Sequence, residues 1–145
     1  MTIQSIIVVH GLIVHPETNL VLMAHRLPNK KKPLMWEYPG GKVDPGETQE
    51  NALQRELKEE LDIDVIVGKI LATSIFAWKE HVFINLFDIK SWTGEPKPLA
   101  STELRWVSPE DAIDNLPMTP GSFSVYPQVI EYLQELHMQK TRTPT

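Results

Sequence analysis

The chain has 145 residues, 41% hydrophobic and 23% charged, with no cysteine and 14 Lys+Arg against 19 Asp+Glu for a net charge of −5. One domain is the expectation at this length, and a chain of this size buries about two-thirds of its unfolded surface, enough for a core without staples. The lack of cysteine excludes disulfide scaffolds, thiolate metal sites and cysteine nucleophiles, and the acidic balance argues against a protein that grips nucleic-acid backbone. No run approaches the ~20 apolar residues of a membrane span. Ile6-Ile7-Val8-Val9 lacks a basic leader and a cleavage site, so the expectation is a soluble, cytoplasmic protein.

Ile3 to Val14 is rich in β-branched residues and interrupted by Gly11, and His15 to Asn19 is turn chemistry. Leu20 to Ala24 then resumes an apolar run, which predicts a hairpin whose second strand ends at His25-Arg26. Leu27 to Lys32 is polar with three consecutive lysines and reads as an exposed loop, a solvated one rather than a substrate clamp. Trp36 to Glu47 holds two prolines and three glycines, too many for a regular helix, so it is a shaped loop with a short strand at Lys42-Val43. Thr48 is a predicted N-cap, and Gln49 to Leu61, free of Gly and Pro, is a firm helix with Glu50 in its first turn.

Two strands follow, Ile63 to Trp78 and His81 to Trp92, turning at Lys79-Glu80, and Thr93 to Pro96 ends the second. Leu104 to Val107 is a short strand, after which Ser108 as cap and Pro109 at the first helical position start a short helix. Pro117 to Gly121 reads as a loop. Pro127 to Met138 carries Val129, Ile130, Leu133 and Leu136 at helical spacing and predicts a closing amphipathic helix. The single domain then spans 1–138, with Gln139 to Thr145 as a frayed polar tail.

The chemistry concentrates on the first helix. Glu56, Glu59 and Glu60 stand at i, i+3 and i+4 and share one face, beside a stripe of Leu53, Leu57 and Leu61 that faces the core. Three like charges on one face repel, and Arg55 alone cannot balance them. Such a stripe is either a solvated acidic face or a cation site. The adjoining leucines, which put Glu60 at the edge of the core, and the Gly/Pro-rich loop ending in Glu47 favour the cation site. Clustered carboxylates beside a rigid loop suit a hard cation such as Mg²⁺.

Gly41, Glu47 and the run Arg55-Glu56-Leu57-Lys58-Glu59-Glu60-Leu61-Asp62-Ile63 resemble the signature box of the Nudix hydrolases. Trp36-Glu37-Tyr38-Pro39-Gly40-Gly41-Lys42-Val43 is similar to the MutT-like branch that acts on nucleoside triphosphates. The resemblance implies an α/β fold, an α/β/α sandwich with a mixed sheet, a catalytic loop-helix and a C-terminal helix. It implies that Glu56, Glu59, Glu60 and the Gly40 carbonyl hold Mg²⁺, with Mn²⁺ able to replace it. Arg55 would orient the carboxylates through a charge-assisted bond to Glu47, which is read alternatively as a partner of the helix dipole. Glu103 lies where many members hold one more acid, and is equally read as a surface glutamate. Glu56, Glu59 or Glu103 would accept the proton of the attacking water. Asp62 replaces the family's Gly at a position that needs a left-handed helix end, which Asp tolerates better than most residues.

On the substrate side the resemblance points to Arg26, Glu37, Tyr38, Gly41 and Lys42, with Arg26 and Lys42 as phosphate contacts. Trp36, Tyr38, Phe76, Trp78, Phe83 and Phe123 are candidates to stack on a base. Phe123 to Gln128 holds no asparagine in register for an oxidised purine, which leaves pyrimidine and other modified nucleotides open. The implied reaction is hydrolysis of a nucleoside triphosphate, modified or oxidised dNTPs included, to monophosphate and pyrophosphate, in nucleotide-pool housecleaning. The alternatives are another diphosphate derivative, such as a dinucleoside polyphosphate or nucleotide sugar, and a non-catalytic nucleotide sensor. The expected partner is a small nucleotide, with no nucleic-acid polymer and no membrane, and the expected state a monomer or homodimer.

Overall fold

The computed structural model describes residues 5–77 and 80–141. Period-two alternation along the strands divides their apolar side chains between two cores, each closed by helices. The elements in chain order are β1 (Ser5–Leu12), β2 (Val21–His25), β3 (Trp36–Glu37), β4 (Gly40–Lys42), α1 (Gln49–Leu61), β5 (Asp64–Ala77), β6 (His81–Thr93), β7 (Glu103–Val107), α2 (Pro109–Asn115), α3 (Pro120–Ser124) and α4 (Tyr126–Thr141). A mixed sheet runs in the order β4-β1-β6-β5, with β1 parallel to β6, and a smaller antiparallel sheet runs β3-β2-β7. Val9, Leu22, Phe87 and Ile89 pack with Ala52, Leu53, Leu57 and Leu61 of α1. Leu12, Met23, Trp36, Tyr38 and Leu86 pack the other way, against Ala112 of α2, Val125 just before α4 and Val129 within it. Helices on both sides of the sheets make the expected α/β/α sandwich.

The first two strands depart from the expected hairpin. Past the end of β1, a Val14–Val21 bridge and bonds from the Leu22 amide to the Ile13 carbonyl (3.0 Å) and from the His15 amide to the Leu20 carbonyl (2.8 Å) close the turn between them. They then diverge into separate sheets, because β1 is claimed on both edges, by β4 and β6. Gly11 does not interrupt β1. It sits opposite Phe87, and a Cβ there would lie 3.1 Å from Ile89 and 3.2 Å from Leu57, so its bareness lets α1 approach the sheet. The segment expected as a loop at Pro117 to Gly121 turns helical at Pro120. The closing helix runs past Met138 to Thr141, where Lys140 Nζ donates to Asn19 Oδ1 (2.9 Å). Tyr132 further ties α4 to β6 by donating to Asp88. Trp78 and the Lys79 end of the expected turn lie outside the described residues.

The helix that carries the acids keeps its expected limits. Thr48 Oγ1 accepts from the Asn51 amide (3.1 Å), and the chain leaves the helix through Asp62 at φ 56°, in the left-handed region. The Asp62 carboxylate is paired with Lys97 (3.0 Å) and Lys58 (3.2 Å), which offsets part of the cost of a side chain at that φ.

Two substitutions check this account. Thr48→Ala should cost about 1 kcal/mol by leaving a first-turn amide uncapped. Leu57→Ala, at a fully buried position, should cost about 2–5 kcal/mol. Both should lower the urea midpoint with an unchanged slope.

Candidate active site

Alternation decides which neighbours reach the site. Ala24 pairs with Glu37, and His25 with Trp36, so Glu37 projects to the α1 side together with Arg26, while Trp36 and Tyr38 enter the opposite core. Arg26, Lys30, Glu37, Gly40, Gly41, Lys42, Glu56 and Glu60 line one cavity of about 380 Å³. Among the described residues no aromatic ring lines it, and cations and carboxylates share its walls.

Arg55 organises the acids. Its Nε and Nη2 donate to the two oxygens of Glu47 (2.8 Å each), Nη1 donates to Glu56 (3.0 Å) and Glu59 (3.3 Å), and Nη2 also reaches the Lys42 carbonyl (3.1 Å). Asp44 adds a further ion pair at 3.4 Å and donates its amide to Glu47 (2.9 Å). The bidentate Arg55 bond holds the Glu47 carboxyl down to about 2, and these carboxylates hold the guanidinium firmly charged. Arg55 does not line the cavity. Its place is behind the acids, as a clamp.

Glu60 is different. Its Oε2 accepts a single bond from the Gly40 amide (3.1 Å). Burial first, and then the neighbouring Glu56, push its carboxyl up to about 8. Burial raises Glu56 as well, against the pull of Arg55. The glycines make this closeness possible. A Cβ on Gly40, at φ 151°, would fall 1.9 Å from the Val9 carbonyl oxygen, and one on Gly41 would fall 2.5 Å from the Glu56 carboxylate. Two carboxylates pressed together at a desolvated edge, with hard oxygen donors and a bare backbone beside them, fit a divalent cation. Among the described residues no three acidic or histidine side chains yet converge at ligand distance. Arg55 and the Gly40 amide hold the acids instead.

The remaining expected residues divide. Arg26 is in the cavity but gives Nη1 to both Glu37 oxygens (2.8 and 2.9 Å) and Nε to the Lys31 carbonyl (2.8 Å). Glu59 is not among the residues that line the cavity, and its side chain is 60% exposed against 15% for Glu56. Tyr38 departs from the substrate-side expectation, since its side chain is 2% exposed in the core. Glu103 is also not brought to the acids: it pairs in register with His25, on the sheet face away from Leu104, Trp106 and α1, and its carboxylate lies 3.4 Å from Arg105. Of the stacking candidates, Trp36 is buried between His25 and Arg105 and Phe123 is exposed. Sequence reasoning missed Asp44, whose only signal was its place three residues before Glu47. It missed Lys30, which belongs to the cavity rather than to a uniformly solvated lysine run. It also missed His10, buried beside Gly40, its imidazole kept toward the neutral form by burial and near enough to feel Glu37 and Arg26.

Comparison with known proteins bears on this site. The NUDIX domain family matches residues 6–129. The CTP pyrophosphohydrolase of Escherichia coli (strain K12) is 33% identical over 102 residues, 70% of this chain and 75% of that protein. An 8-oxo-dGTP diphosphatase of Haemophilus influenzae is 33% identical over 112 residues, 77% of this chain and 82% of that protein. Among solved structures, the MutT protein from Methanosarcina mazei Go1 superposes with a TM-score of 0.80 at 26% identity, covering 91% of this chain and 97% of that one. The E. coli ORF135 protein superposes with a TM-score of 0.77 at 27% identity, covering 99% and 96%.

The raised Glu60 carboxyl has a consequence for stability. Its pKa is higher in the folded than in the unfolded chain, so its favourable contribution is complete below the ordinary carboxylate range and is lost as pH rises through about 8. In EDTA, the Tm of the wild type should therefore fall more steeply between about pH 5 and pH 9 than that of Glu60→Gln. Equal slopes would contradict the assignment.

Proposed function

Because the chain belongs to the NUDIX family of hydrolases, we propose that it is a Mg²⁺-dependent nucleoside triphosphate pyrophosphohydrolase. The observation that carries this reading is the pair Glu56 and Glu60, two carboxylates that burial pushes up, in a cavity that also holds Lys30 and Lys42, with Arg26 paired to Glu37 beside them. An acidic protein binds a polyanion when divalent charge stands between the two, and the basic wall takes up phosphate oxygens beyond that reach. Glu56 and Glu60, with Glu59 and the Gly40 carbonyl, are the groups that would hold the ion. Bound there, Mg²⁺ supplies charge neutralisation for the phosphates and a lowered pKa for a coordinated water.

The protein's own groups do the rest. Arg55 fixes the rotamers of Glu47, Glu56 and Glu59 from behind, so the acids meet the substrate in one arrangement. A box carboxylate, Glu56 or Glu59, accepts the proton of the attacking water. The water oxygen bonds to phosphorus at the α–β anhydride as the bridging P–O bond breaks, and pyrophosphate leaves the nucleoside monophosphate. Glu103, on the far face of β7, is not assigned a part. The substrate is a small nucleotide rather than a polymer, in keeping with the net charge of −5. No helix among the described residues is long and apolar enough to cross a membrane. The reading holds for a monomer or a homodimer alike.

The relatives named for CTP and for 8-oxo-dGTP set the first substrates to compare. Pyrophosphate release from a panel of NTPs and dNTPs should require Mg²⁺ or Mn²⁺, stop in EDTA, and fall by about 10²–10⁴-fold in Glu59→Gln or Glu60→Gln. Turnover of nucleotide sugars or dinucleoside polyphosphates with NTPs untouched would move the assignment to another diphosphate class. Tight nucleotide binding without turnover at any metal level would identify a sensor.

A further inference from the structure

Among the described residues three cations line the cavity, Arg26, Lys30 and Lys42, and their surroundings differ. Arg26 is committed: its Nη1 bridges both oxygens of Glu37 and its Nε holds the Lys31 carbonyl. Lys42 follows Gly41, which abuts the Glu56 carboxylate, so it lies at the acidic end. Lys30 also lines the cavity, and it is carried by a segment exposed from Pro28 to Leu34, so it enters from the solvent side. Among the described residues no carboxylate lies within ion-pair distance of the Lys30 ammonium.

The loop that carries Lys30 buries little, yet it is pinned. The Arg26 amide donates to the Met35 carbonyl (2.9 Å), the Leu34 amide to the Arg26 carbonyl (3.2 Å) and the Lys30 amide to the Leu27 carbonyl (3.2 Å). His25 Nε2 meets the Leu34 carbonyl at 2.9 Å, and Lys32 lies 5.9 Å above the Phe76 ring. Lys32 and Leu34 are held at φ 51° and 59°, a region that residues with a Cβ avoid. An exposed loop with no core to serve, held at several points and backbone-strained, is built to aim something. The three consecutive lysines have three separate fates: Lys31 lends its carbonyl to Arg26, Lys32 packs over Phe76, and only Lys30 enters the cavity.

We propose that Lys30 binds the terminal phosphate and sets a preference for triphosphates over diphosphates. The inference rests on the pyrophosphohydrolase reading and deepens it. With the acids gripping the chain near the bond that breaks, the rest of a polyphosphate extends toward solvent, and an exposed ammonium at that side gains a partner only if a third phosphate exists.

Kinetics on a matched NTP and NDP, for the wild type, Lys30→Ala, Lys30→Arg and Lys31→Ala, test it. Lys30→Ala should raise KM for the NTP about tenfold with little change in kcat and leave the NDP unaffected, the loss expected for one charge-assisted bond. Lys30→Arg should restore most of the preference, and Lys31→Ala, which removes the same charge from the same loop but keeps the carbonyl, should behave as wild type. Equal losses for NTP and NDP, or equal effects of the Lys30 and Lys31 variants, would overturn the proposal in favour of general attraction. Calorimetric titration with inorganic tripolyphosphate in Mg²⁺ gives a readout independent of turnover. About tenfold weaker binding by Lys30→Ala supports the proposal even if wild-type NTP hydrolysis fails and the pyrophosphohydrolase reading falls, whereas unchanged binding overturns it.

Discussion

Glu60 takes one hydrogen bond from the Gly40 amide and stands against Glu56 at the desolvated edge of the core. Both are carried by a helix pinned through Leu53, Leu57 and Leu61. Left to itself this arrangement is unfavourable, since burial and like charge act in the same direction on both carboxyls. The leucine stripe holds it in place: turning the acids into solvent would pull three fully buried leucines out of the core, at about 1.5–3 kcal/mol each. The neighbouring backbone is bare because Gly40 and Gly41 leave no Cβ to collide with Val9 or with Glu56.

Arg55 separates two kinds of carboxylate. Glu47, bound bidentately, is driven low and serves as the fixed end of the clamp. Glu56 shares the guanidinium but is still raised by burial, and Glu60 has no share in it at all. One cation thus grades the acids from structural to reactive across the width of a helix face. A parallel grading runs through the cations of the cavity, from Arg26, neutralised by Glu37, to Lys30, which among the described residues has no such partner. Both gradings leave charge uncompensated only where it faces the cavity, which is the pattern of a site prepared for a metal-bridged polyanion.

Helix α1 was legible in the sequence almost to the residue. Its start depends on Thr48 and its end on the tolerance of Asp62 for a left-handed φ, and both are properties of a few adjacent residues. The spacing that gathers Glu56, Glu59 and Glu60 on one face, and the glycines that let the loop lie against them, are equally local. The Arg55–Glu47 bond was legible because it spans two turns of one helix and its lead-in loop.

The rest was decided by pairing between distant segments. Whether β1 and β2 form one hairpin or enter two sheets depends on β4 and β6 claiming both edges of β1, which no local pattern encodes. The same pairing sets the faces: Glu37 turns to the acids and adjacent Tyr38 to the core, while Glu103, opposite His25, turns away. A strand shifted by one residue would exchange those roles. Lys30 became part of the cavity only because bonds from His25 and Arg26 fold its loop inward. What the chain determined alone is the set of short-range geometries, since helix caps and side-chain periodicity act over a few residues. Which of those groups share a cavity was left to strand register, a long-range choice made only when the core assembles.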